Sequence, residues 1–287
     1  MQSRTTISLR STSIDLVVSS ATDVGGVRAV NEDSFFAAMP VFLVADGMGG
    51  HNAGDQASQT VRETFRESFP DRQPTTTTVV LDVIQASNNA VRQIQTRDSS
   101  PTAISGTTLA GVALVEEGEG AHPHWMIFNI GDSRVYSWDG RELQQLSVDH
   151  SAVQELVDSG VISSEQAAVH PERNIITRAI GASEFVDPDV WLRPVGGAQA
   201  FLMCSDGLTK ELDDAQIARL LAEHDPGNLA ISVADALVAA ALAAGGKDNI
   251  TAVVVESQSQ AEIVEGENTV QRMLRGTEHL EDTRPRI

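Results

Sequence analysis

Apolar and polar positions along this chain change period several times. Residues 14–18 (Ile-Asp-Leu-Val-Val) read as a strand, and residues 41–45 as a second that ends at Asp46. From Ala53 the apolar residues Ala57, Val61, Phe65 and Phe69 recur every four positions, which makes one helix face, with Pro70 near its end. A second helical stretch runs from about residue 79 to 96, with Val83, Ile84, Val91 and Ile94 as its apolar members. The middle is β-rich: residues 107–115 and 125–130 read as strands. Residues 135–138 and 143–146 flank Asp139-Gly140, a strong hairpin signal. Val153, Leu156 and Val157 predict a short helix stopped at Gly160, and a movable flap fits the polar stretch 163–174 that follows. Strands return at 190–192 and 200–204. Asp213 is placed to cap a helix with Ile217, Leu220 and Leu221 on one face. Another helix, with Val233, Ala236, Leu237, Ala240 and Ala244, ends at Gly245-Gly246, and residues 250–255 close the pattern as a strand. Strands and helices mix without strict βαβ alternation, so the pattern predicts an α+β layered fold.

No Pro/Gly/Ser-rich linker and no internal repeat divides the 287 residues. The expected organisation is an N-terminal extension (1–13), one catalytic domain (14–256, flap about 150–180) and an acidic C-terminal tail (257–287). In that tail Val270, Met273 and Leu274 allow one amphipathic turn, but its polar composition predicts disorder. The formal charge of −20 argues against nucleic acid or an anionic membrane as partner, because both need a basic surface. Lysine occurs only at 210 and 247, and arginine supplies the remaining positive charge. The one cysteine, Cys204, lies in an apolar run and reads as a core residue in a reducing cytosol. No signal peptide or membrane-spanning run is apparent, so a soluble, cytoplasmic monomer is expected.

The chemistry is carried by four short motifs spread over more than two hundred residues. They are Arg28-Ala-Val-Asn31-Glu32-Asp33, Val44-Ala-Asp46-Gly47-Met48-Gly-Gly-His51, Cys204-Ser-Asp206-Gly207 and Lys247-Asp248-Asn249-Ile-Thr251. Three of them set Asp directly beside Gly or Asn, the first sets it two residues after Asn31, and three adjoin a predicted strand. Carboxylates gathered at strand ends suit a hard divalent cation such as Mg²⁺ or Mn²⁺, and an arginine suits a phosphate. Metal-assisted attack on a phosphoester is the reaction class these residues predict. Any one Asp-Gly is a common turn or cap; the weight rests on the four together.

With Ser105-Gly-Thr-Thr108 and Asn129-Ile-Gly-Asp132-Ser-Arg134, these motifs stand in an order that resembles the type 2C family of metal-dependent protein phosphatases in its bacterial form. The resemblance runs from about residue 24 to 255. It implies a four-layer α-β-β-α sandwich, two antiparallel sheets flanked by helices, with two metal ions in a cleft at one edge. It implies that Asp46 bridges both ions, that the Gly47 carbonyl binds one of them, and that Asp206 and Asp248 complete the neighbouring ion. Glu32 and Asp33 match acidic residues that hold metal-bound water. Asp132 matches the ligand of a third, weaker ion, with Asn174 aligned as its contact from the flap. The implied activity is hydrolysis of phosphoserine and phosphothreonine in proteins, by hydroxide bridging the two core ions. The substrates would be phosphorylated proteins, including a partner serine/threonine kinase whose action the enzyme would reverse.

Arg28 is expected to hold the phosphate and to touch nothing else in the site; its competing reading is a salt bridge to Glu32. The position after Asp46-Gly47, where some family members carry a histidine, is Met48, which cannot transfer a proton. His51 is near in sequence but of unknown direction, so the general acid stays unassigned. Two rival functions remain: a catalytically silent, metal-stabilised sensor, and a phosphatase for small phosphoesters.

Overall fold

The structure is a computed structural model that describes residues 2–9, 13–49, 53–97, 105–117, 122–224 and 231–259. His51 and residues 260–287 of the expected tail lie outside the described residues.

Two antiparallel sheets pack face to face. The first runs β1 (Gln2–Ser8), β2 (Ser13–Asp23), β12 (Ile250–Ser259), β11 (Ala198–Cys204), β8 (Arg134–Trp138), β9 (Leu143–Gln145). The second runs β10 (Asp189–Pro194), β7 (His124–Ile130), β6 (Leu109–Val115), β4 (Val41–Met48), β3 (Asp33–Ala38), with the short β5 (Gly106–Thr107) on the end of β4. Strand alternation builds three apolar layers. On β4, Phe42 and Val44 face the other sheet and meet Leu16, Trp125, Phe201 and Val253 in the inter-sheet core. Val41, Leu43 and Ala45 face outward, against Val61 and Phe65 of α1 (Ala53–Ser68) and Val80 and Ile84 of α2 (Thr77–Arg97). Phe65 stacks on Phe128 of β7 with ring centroids 6.2 Å apart. The outer face of the first sheet buries Leu202, Ala252 and Val254 against α6 (Asp214–Glu223) and α7 (Val233–Ala244). The α-β-β-α sandwich follows from these layers, each helix covering the apolar face of one sheet.

Most elements sit where periodicity puts them. Asp213 caps α6 in a reciprocal capping box with Gln216, and the hairpin turns at Asp139-Gly140. The predicted strand 107–115 is broken at Thr108, whose backbone N–H donates to the Asp46 carbonyl. Residues 2–8, set apart in the sequence as an extension, pair along β2 from Gln2↔Ser19 to Ser8↔Ser13. Their polar, Thr-rich composition hides the pairing from any hydrophobic pattern. In the flap region, α3 (Ala152–Asp158) and α4 (Ser164–Ala168) are joined at their base by a bridge between Ser151 and Ile176.

Candidate metal and phosphate site

The row of β4 side chains that faces the inter-sheet core reads Phe42, Val44, Asp46, so the strand's own alternation carries a carboxylate to the end of that core. In the β3–β4 register Asp46 lies opposite Asp33, which puts two carboxylates side by side on one face. Asp132 follows β7, Asp206 opens the short helix α5 (Asp206–Thr209) two residues after the end of β11, and Asp248 stands two residues before β12. Strand ends from both sheets thus deliver five carboxylates to one place.

Their electrostatics record the crowding. Asp33 is pushed up to about 7, by burial first, with Asp206 and Asp248 adding like charge. Burial raises Asp46 well above its ordinary value, reinforced by Asp33, Asp206, Asp132 and Asp248. Asp132 is pushed up to about 7, by burial and then by Asp206 and Asp149. Asp206 is raised chiefly by burial, against the opposing pull of Lys210. Asp248 differs: burial works to raise it, but Lys210, Arg28 and the Asn249 N–H together hold it below its usual value. Oxygen donors that repel one another this strongly suit a hard dication. Asp33 Oδ1 is buried and, among the described residues, without a hydrogen-bond partner, so water held by such an ion would satisfy it. The donor set therefore fits Mn²⁺ or Mg²⁺.

The glycines after the aspartates have a packing reason. A Cβ on Gly47 would stand 2.2 Å from the Gly54 carbonyl oxygen and 2.5 Å from that of Glu32, and one on Gly207 would stand 1.9 Å from the Asn249 oxygen. Backbone approaches backbone at both places, and only glycine permits it. Gly47 stays within the strand and donates its N–H to Glu32 O at 3.1 Å.

Several residues outside the expected ligand set hold it in place. Asn249 donates from Nδ2 to the Val24 and Val30 carbonyls (2.9 and 3.0 Å) and accepts the Glu32 N–H at 2.9 Å, pinning the loop that carries Arg28 and Glu32. Ser205 donates to Asp33 Oδ2 at 2.8 Å and accepts the Thr251 N–H. Thr108 accepts the Asp46 N–H at 2.9 Å, and its hydroxyl meets that of Ser133 at 2.6 Å, which ties the Asp46 strand to the Asp132 loop. The motifs contain all of these residues, but their partners lie too far away in sequence to be inferred from it.

Arg28 does not stand apart from the acidic residues, and its partner is Asp248 and not Glu32: Nε lies 2.8 Å from Asp248 Oδ1 and Nη2 3.0 Å from Oδ2. The cation that the sequence reading missed is Lys210, with Nζ 2.5 Å from Asp206 Oδ2 and 3.3 Å from Asp248 Oδ2. Among the described residues, no three acidic, histidine or cysteine side chains, as placed, already form a group that could hold a metal ion. Asn174 is exposed in the turn after α4, and among the described residues no hydrogen bond joins it to Asp132. Met48 lies in β4 opposite Gly106. Cys204 is buried, its thiol pushed up to about 12, mainly by burial, as befits a core residue. Among the described residues no helix is long and apolar enough to cross a membrane.

Comparison with known proteins points to one family. The family described as protein phosphatase 2C matches residues 27–239. The serine/threonine phosphatase stp of Listeria monocytogenes is 33% identical over 249 residues, covering 82% of this chain and 93% of that protein. A crystal structure of the catalytic domain of serine threonine protein phosphatase PstP, in complex with 2 manganese ions, is 33% identical. It matches with a TM-score of 0.73 over 85% of this chain and 99% of that one. The serine/threonine phosphatase Stp1 from Staphylococcus aureus, 30% identical, also matches with a TM-score of 0.73, over 83% of this chain and 93% of its own.

Proposed function

This chain belongs to the protein phosphatase 2C family, and from that premise we propose that it is a metal-dependent protein-serine/threonine phosphatase. The observation that carries the reading is the delivery of Asp33, Asp46, Asp132, Asp206 and Asp248 to one end of the inter-sheet layer, with Arg28 at its rim.

Asp46, the Gly47 carbonyl, Asp206 and Asp248 are the proposed holders of two Mn²⁺ or Mg²⁺ ions. Glu32 and Asp33 orient solvent around them, and Asp132, with Asn174 as its proposed partner from the flap, serves a third ion. Bound there, such ions supply a hydroxide nucleophile near neutral pH by lowering the pKa of water. Arg28 orients the phosphate. Its Nε–Nη2 edge is committed to Asp248, so a phosphate would meet the Nη1–Nη2 edge. Ser205 holds the Asp33 carboxylate, and Thr108 holds the backbone at Asp46. No side chain of the described site is assigned as the acid for the leaving alkoxide, because Met48 has no proton to give.

The proposed substrates are phosphorylated proteins, a serine/threonine kinase among them, met by a monomer in the cytoplasm. The net charge of −20 supports attraction by local metal charge over long-range steering. Phosphate release from a phosphothreonine peptide, with and without EDTA, tests the reading. Activity that survives the chelator undiminished rules out the metal mechanism. Metal binding without turnover on varied phosphopeptides would instead indicate a silent sensor, and faster turnover on small phosphoesters a metabolite phosphatase.

A further inference from the structure

Lys210 is one of two lysines in the chain, and it closes α5 four residues after Asp206. That spacing puts its side chain on the same helical face as the Asp206 carboxylate. Its ammonium spans Asp206 Oδ2 at 2.5 Å and Asp248 Oδ2 at 3.3 Å, while Arg28 contacts both oxygens of Asp248 and shares Oδ2 with Lys210. One side-chain cation therefore stands on the two carboxylates that the functional reading gives to a single divalent ion. An ammonium and a dication at such short range repel, and each carboxylate oxygen cannot serve both at full strength. The Lys210 side chain is 40% exposed on a flexible four-carbon stem, so it can leave for solvent.

We propose that Lys210 is a built-in competitor for the metal at the Asp206–Asp248 end of the site, and that it sets the metal concentration at which this position fills. Loading displaces the ammonium from both carboxylates, and the cost of that displacement is subtracted from the affinity of any divalent ion that binds there. Mn²⁺ and Mg²⁺ are weakened by the same factor, so Lys210 raises the loading threshold without changing the preference between them. The proposal rests on the reading of Asp206 and Asp248 as metal ligands.

Calorimetric titration of Mn²⁺ and of Mg²⁺ into the EDTA-stripped full chain tests it. Lys210→Met is expected to bind both ions more tightly, by a common factor on the order of ten-fold, and Lys210→Arg to stay within a few-fold of wild type. In EDTA, Lys210→Met is expected to melt below wild type, because Asp206 and Asp248 lose their counter-charge, and its melting temperature should rise further on adding Mn²⁺. If the Met variant does not fold, Lys210→Gln takes its place, with melting followed against Mn²⁺ concentration and the same tighter binding expected. Equal or weaker affinity in the uncharged variants overturns the proposal. Asp206→Asn separates the two layers of the argument. If it loses tight metal binding while Lys210→Met stays unchanged, only the competitor role fails. If it binds as tightly as wild type, the ligand reading fails too.

Discussion

Arg28 grips Asp248 through two nitrogen–oxygen contacts, 2.8 and 3.0 Å long, across 220 residues of sequence. The proposed phosphate clamp is thereby anchored on a proposed metal ligand, so the two functions share one guanidinium. The anchor restrains a side chain that is 51% exposed and would otherwise lose more freedom on meeting a phosphate.

Arg28→Ala is accordingly expected to lower kcat/KM on a phosphopeptide by about 2 kcal/mol, or tens-fold, for one lost charge-assisted contact. Its effect on Mn²⁺ affinity should be small and should favour binding, since a half-exposed positive charge beside Asp248 disappears. Steady-state kinetics and calorimetry on the same preparation check both. Wild-type efficiency would leave Arg28 with a role only in holding Asp248.

Asp206 and Asp132 should separate under mutation. Asp206→Ala is expected to abolish tight metal binding and nearly all turnover, because the nucleophile depends on the ion it helps to hold. Asp132, outside that pair, should be removable with tight binding preserved and phosphopeptide turnover reduced. Titration of both variants with Mn²⁺ decides it; equal loss of tight binding in the two would erase the distinction between core and accessory ligands.

The chelated protein should lose stability as pH rises from about 4 to 7. Asp33 and Asp132 are pushed up to about 7 and Asp46 is raised as well, whereas an unfolded aspartate titrates near 3.9. Over that window the folded state holds protons that the unfolded state has released, so unfolding is favoured at the upper end. Melting in EDTA between pH 4.5 and 7.5 should show the fall, Asp33→Asn should flatten it, and Mn²⁺ should reverse it with release of protons. A melting temperature that climbs across this range would contradict the assignment.

Asn249→Ala is expected to cost about 2–3 kcal/mol in urea unfolding, because it strips partners from the Val24 and Val30 carbonyls and the Glu32 N–H at once. Activity should fall beyond what stability explains, since the loop bearing Arg28 and Glu32 loses its tether. A variant with wild-type kcat/KM and unchanged urea midpoint would show that the loop is held by other means.

Much of the fold was legible because helices and strands announce themselves locally. The fourfold spacing of Ala57, Val61 and Phe65 marks α1, and the run from Val41 marks β4. Elements without an uninterrupted apolar repeat were not legible. β3 begins on two polar residues, Asp33 and Ser34, α5 has only four residues, and β1 is mostly polar. At the site, the aspartates stood out as motif residues, and the resemblance assigned their expected roles. Sequence alone thus determined which carboxylates and which arginine this protein carries, and the alternation that turns Asp46 toward the inter-sheet layer. Tertiary structure decided who pairs with whom: Arg28 with Asp248, Lys210 across Asp206 and Asp248, Ser205 with Asp33, and Asn249 with the Glu32 loop. Periodicity encodes which face of an element is apolar. It carries nothing about which strand ends will meet when two sheets stack, and the charges of this site act only across those meetings.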